Sequence, residues 1–160
     1  LTIAKGKSLI SETNFSNFQS NYFVSDKKGN YMILTPYSAA VVYVRHASIN
    51  YDEINEEQIS QILKLNTLSI IVDPTYPGAY EEFDKSNVRL LIKERDNIYR
   101  ANNLNVESKL QYAGCSDCGY NPSVTGTFDN YSDFASKNVL LIVIVNGIQT
   151  NFTVDLSKFK

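Results

Sequence analysis

Tryptophan is absent from this 160-residue chain, and histidine and methionine occur once each, cysteine twice, proline four times and glycine seven times. So little proline and glycine excludes a collagen-like or low-complexity chain. With His46 as the one imidazole, there are few ligands for a metal and few bases for a nucleophile, and no cofactor is implied. Charge of one sign is also missing. The 15 Lys and Arg face 17 Asp and Glu, split six to seven in the first eighty residues and nine to ten in the second eighty. No segment forms a basic footprint, so nucleic acid is not an expected partner. The longest apolar run, Val139 to Val145, has seven residues, whereas a membrane helix needs about twenty. No membrane span is expected. The nucleotide-binding glycine patterns, the nucleophile elbow, the HExxH pair and EF-hand spacing do not occur.

What remains is an ordinary globular composition, 43% hydrophobic and 20% charged, read as a single β-rich domain over residues 1–160. At this size a core hides about 68–70% of the unfolded surface, so neither a metal nor a disulfide is required for folding.

The clearest local signal is Asn146-Gly147 between two apolar runs, a two-residue hairpin turn with positive φ at both positions. It predicts the pairs Val145 with Ile148, Val143 with Thr150, Leu141 with Phe152 and Val139 with Val154, all on a core face. The other face then pairs Ile144 with Gln149, Ile142 with Asn151 and Leu140 with Thr153. Alternation over Leu104 to Tyr112 and from Val88 through Lys93 adds strands, with Arg95-Asp96-Asn97-Ile98 as turn residues before the chain resumes. Tyr31 to Thr35, Ala39 to Ile49 and Leu68 to Asp73 also read as strands. One amphipathic helix is expected over Asn50 to Leu65, capped by Asn50 with Glu53, with Ile54, Ile59, Ile62 and Leu63 on its apolar stripe. Segments 1–25, 74–87 and 113–137 read as irregular. The expected fold is an antiparallel β-sandwich of about seven to eight strands. The alternative is an α+β fold with the helix on one face of a sheet.

Cys115 and Cys118 form a single CxxC followed by Gly119 and a Tyr-Asn-Pro loop. Three chemistries fit that spacing: a short disulfide, half of a zinc knuckle that His46 with a carboxylate, or the same knuckle of a second chain, would complete, and a redox dithiol. The disulfide fits best, because a second CxxC is missing and no helix follows. Asp117, Asn121, Asp129, Asn130 and Asp133 are hard oxygen donors without a coordination spacing. Adjacent acids at Glu81, Glu82 and Asp84 and at Glu53, Glu56 and Glu57 read as solvated faces. His46 reads as a core or edge histidine, and Arg45 as a snorkelling or paired cation that could also anchor an acidic ligand.

Eleven tyrosines are the compositional excess. Tyr76, Tyr80, Tyr120 and Tyr131 fall in or beside the second-half loops, where a phenol offers rigid contact area and a polar handle. The resulting expectation is a non-enzymatic binding or assembly module of an exported or cell-surface protein. Its partner would be a protein, a glycan or a further copy of itself. A small hydrolase with its site in 113–137 and a virion or pilus-like subunit are the alternatives. The first residue, Leu1, fits a trimmed or mature form.

Overall fold

The computed structural model describes residues 1–76, 85–110 and 120–159, without the side chains of residues 109, 110 and 120. The chain is mainly β, in two antiparallel sheets. Strands β1 (Phe23–Asp26), β2 (Gly29–Leu34), β3 (Thr67–Pro74), β6 (Asn102–Leu110) and β7 (Tyr120–Asp129) form a five-stranded sheet in the order β1-β2-β3-β7-β6. The second sheet runs β5-β4-β8-β9, from β4 (Val88–Glu94), β5 (Asn97–Arg100), β8 (Asn138–Val145) and β9 (Ile148–Asp155). Their inner faces share one core. Ile33, Ile70 and Phe128 of the first sheet and Ile92, Leu141 and Phe152 of the second are buried in the same cluster, and Tyr31 meets Phe152 edge-on at 5.3 Å between ring centres.

The C-terminal hairpin has the expected register, with Val145 opposite Ile148, Leu141 opposite Phe152 and Val139 opposite Val154. Asn146 and Gly147 take the positive φ values of 49° and 80° that such a turn requires. The β4–β5 hairpin turns at Arg95-Asp96, the first two of the four residues read as a turn, while Asn97 and Ile98 already pair with Glu94 and Lys93 in β5. Glu94 closes that end as a buried carboxylate, 3.4 Å from Lys137 Nζ and 3.6 Å from Arg95 Nε.

Among the described residues, nine strands and four helices stand where about seven to eight strands and one helix are expected. Residues 39–49 are helical, within α3 (Pro36–Asn50). Local chemistry starts this helix: Thr35 accepts the Ser38 backbone N–H and Pro36 sits in the first turn. Packing then overrides the β preference of Val41 to Val44. Ala40, Val44 and Ile59 form a small second core with half-buried Ile3, Ile54 and Ile62. Val41 faces the main core instead. The first helix, α1 (Thr2–Ser8), lies so close to α3 that a Cβ on Gly6 would stand 2.5 Å from the Val44 side chain and 2.9 Å from the Val41 carbonyl oxygen.

The segment read as irregular before Ser25 thus holds α1, α2 (Glu12–Ser20) and most of β1. Arg45 ties them to α3. It is buried, its Nε donates to the Leu9 carbonyl at 2.8 Å, its Nη2 to Glu12 at 2.6 Å, and its guanidinium lies 3.7 Å from the Phe15 ring centre. That is the paired cation of the two readings. The amphipathic helix is shorter than expected: α4 (Glu56–Lys64) is capped by Asn55, while Asn50 ends α3 ahead of Tyr51 at φ 58°. Ile59 of its stripe is buried, but Leu63 is exposed. Within 113–137, β7 occupies an interior position of the first sheet. Val124 and Phe128 point into the core, and Thr125 and Thr127 pair with Ile71 and Ser69 on the outer side.

Candidate functional site

The helices meet the sandwich along a groove built from four parts of the chain. The N-terminus of α3 contributes Pro36 and Tyr37, the end of α4 contributes Leu63 and Leu65, the 3₁₀ turn after β7 contributes Tyr131 and Ser132, and Phe159 closes the floor. Its volume is about 380 Å³. Asn66 sets the far wall. Its side chain accepts the Ser132 N–H at 2.7 Å and donates to the Ser132 hydroxyl at 3.0 Å, and its carbonyl accepts the Tyr131 N–H at 3.0 Å. Three bonds from one residue therefore hold the turn that carries Tyr131. The Tyr131 hydroxyl donates to the Phe159 carbonyl at 3.3 Å, and its ring stacks edge-on to Phe134 at 5.9 Å.

Leu63 also borders a second hollow of about 390 Å³, between α1 and α4, beside Ile3 and Ile59. Among the described residues, the only charged side chains along either hollow are Glu56 and Lys64, both at the α1 side. Leu65 is 52% exposed and Leu63 41%, so an apolar ridge separates the two depressions.

Burial pushes the phenols of Tyr22, Tyr31 and Tyr131 above their usual ionisation range, Tyr22 further through the neighbouring Tyr37 and Tyr131 phenols and Tyr31 through Asp26. An unfolded chain ionises these groups near pH 10, while the fold holds their protons. Their stability contribution is therefore complete below about pH 10 and is lost as pH climbs through the raised folded values. Urea unfolding midpoints should stay level across neutral pH and fall above about pH 10, with tyrosinate absorbance appearing on unfolding. A midpoint that holds level in that alkaline range would contradict the burial of these three phenols.

Of the tyrosines singled out in the sequence, Tyr131 lines the groove and Tyr76 is buried in the core, where its hydroxyl accepts from Asn146 Nδ2 at 3.3 Å. Tyr120 opens β7, and its side chain lies outside the described residues, as do Tyr80, Cys115, Cys118, Glu81, Glu82, Asp84 and Asp117. Tyr76 and Tyr131, the two whose side chains are described, stand apart, one in the core and one on the groove. His46 is an exposed helix residue rather than a strand residue, and Nδ1 meets Asn50 Nδ2 at 3.1 Å. Asp129 accepts from Asn102 Nδ2. Among the described residues, no three His, Cys, Asp or Glu side chains are grouped to hold a metal. Tyr37, Leu65 and Asn66 escaped sequence reasoning. The signal available was the pair of leucines flanking Lys64, one more than the helical stripe needs.

Comparison with family models, with curated proteins and with solved structures yields no match.

Proposed function

We propose that this chain is a non-enzymatic binding module that takes an apolar segment of a partner protein into the groove between Tyr37 and Tyr131. The observation that carries the reading is the groove itself. It is open, lined chiefly by aromatic and aliphatic side chains, and rimmed by Asn66 and Ser132, whose polar atoms already bond each other. Such a site favours apolar contact over charge or dense hydrogen bonding. A protein side chain suits this lining better than a glycan, which needs many unoccupied polar partners. Tyr131 keeps a binding role here through its ring edge, with its hydroxyl engaged at Phe159.

Selection of a displayed random-peptide library on the intact chain tests the proposal. Enriched peptides are expected to carry aliphatic or aromatic anchors and to lose at least about tenfold in affinity, about 1.4 kcal/mol, for Leu65→Glu. Because Leu65 is half exposed, that variant should keep the wild-type melting temperature. Affinity should change little with salt, as no charge lies beside Tyr131 among the groove residues. Peptides that bind wild type and Leu65→Glu equally would refute the site, and so would a glycan that binds where no peptide does.

A further inference from the structure

The outer face of the four-stranded sheet forms a second surface, separate from the groove. Strand β8 is central, and its outward residues Leu140, Ile142 and Ile144 make a continuous apolar column that Leu91 of β4 widens. None of these four belongs to either hydrophobic cluster of the described residues. The β4 and β5 side of the column is cationic: Arg89 lies opposite Ile144, Lys93 opposite Leu140, and Arg100 opposite Leu91. The outward side chains of β9, Gln149, Asn151 and Thr153, are uncharged, and the cation Lys28 at that edge is engaged by the Asn151 carbonyl at 3.0 Å. The outward positions of all four strands carry one carboxylate, Asp155 at the end of β9, and it is engaged by the Ser157 hydroxyl at 2.6 Å and Lys158 at 3.8 Å. In a chain of net charge −2, three cations thus flank one side of an apolar column, with no acid among the outward residues beside them.

We propose that this face docks an acidic amphipathic helix of a partner protein, its apolar row along β8 and its carboxylates over Arg89, Lys93 and Arg100. The dimensions agree. From residue 140 to residue 144 a strand rises about 13 Å, the length of about two and a half helical turns, so apolar residues at i, i+4 and i+7 follow the column. Carboxylates one helical flank away then reach the cations, which supply orientation and association rate as well as attraction. Arg89 is already held along its strand by bonds from Nη1 to the Ser86 and Val88 carbonyls at 2.7 and 2.8 Å. Lys93 and Arg100 are exposed and form no ion pair among the described residues.

A bilayer fits this face less well, because seating in lipid needs several protruding apolar side chains, whereas Ile142 is only 8% exposed, Leu91, Leu140 and Ile144 are half-buried, and Ile98 opposite Lys93 is the one apolar outward residue that protrudes, at 57%. A nucleic acid would meet cations on one flank and leave the apolar column unused.

The test uses the full chain and a synthetic helix of about eighteen residues, long enough to be helical, with leucine on one face and glutamate along the flank. A control peptide carries lysine for every glutamate. In anisotropy titrations the glutamate peptide should bind and the lysine peptide should not, with affinity falling steeply as salt is raised. Lys93→Glu with Arg100→Glu should weaken binding at least about tenfold, and Lys93→Gln with Arg100→Gln should show a smaller loss if the reversal disturbs folding. Leu65→Glu should bind the peptide as wild type does, which separates this surface from the groove. Equal affinity for the two peptides, indifference to both double substitutions, or tighter binding to phosphatidylserine vesicles or an RNA oligomer would each overturn the proposal.

Discussion

Leu141→Ala is expected to lower the free energy of unfolding by about 2–5 kcal/mol, the cost of truncating a fully buried leucine in a packed core. Leu141 is 0% exposed and sits between Ile92 and Phe152 on the inner face of its sheet. Thr153→Ala, on the next strand and directly opposite outward-facing Leu140, should cost under about 0.5 kcal/mol. The two side chains point to opposite faces of the same hairpin, so urea unfolding of the pair tests the register directly. A one-residue slip would exchange their environments. Similar losses for both variants would contradict the pairing.

A second contrast is expected between two glycines that share positive φ. Gly147 has φ 80° in the hairpin turn, and a Cβ there would meet open space. Its alanine variant therefore bears only the backbone strain, about 1–2 kcal/mol. Gly29, at the start of β2, has φ 127°, and a Cβ there would collide with the Asp73 carbonyl oxygen, with Pro74 Cα at 2.7 Å and with Thr75 N at 2.9 Å. All three are backbone atoms of the neighbouring strand end, held by the bond from the Thr75 N–H to the Lys28 carbonyl at 2.8 Å. They cannot rotate away as a side chain would. Strain and overpacking add, and Gly29→Ala should cost about 2–6 kcal/mol. Thermal unfolding of the two variants provides the comparison, and a Gly29→Ala loss no greater than that of Gly147→Ala would rule out the close approach of β2 to residues 73–75.

Elements defined by neighbouring residues are legible in the sequence. The C-terminal hairpin is one: its turn needs positive φ, Asn-Gly tolerates it, and the alternation on either side leaves one register. The β4–β5 hairpin is legible in part: polar residues mark a turn after β4, but Asn97 and Ile98, read as part of it, belong to β5. Helix α3 is not legible, because Val41 to Val44 carry β-branched and aromatic side chains whose local preference is a strand. The decisive partners, Gly6 and Ile59, lie in other helices. Strand β7 is hidden for a related reason. Asn121, Pro122 and Gly126 look like loop residues, and pairing of Gly126 with β3 and of Asn121 and Pro122 with β6 makes them strand residues.

The sequence alone thus determined a β-rich fold, the C-terminal register and the balance of charge, since each depends on composition or on side chains a few positions apart. Tertiary structure decided both candidate surfaces. The groove joins Tyr37, Leu65, Tyr131 and Phe159, which no periodicity relates, and it exists because Asn66 fastens the Tyr131 turn to the end of α4. The cationic face depends on antiparallel pairing that brings Arg100 beside Leu91 and sets uncharged residues of β9 along the far side of β8. Strand order governs what lies side by side on a sheet, and it is set by packing among distant segments, which local sequence cannot encode by itself.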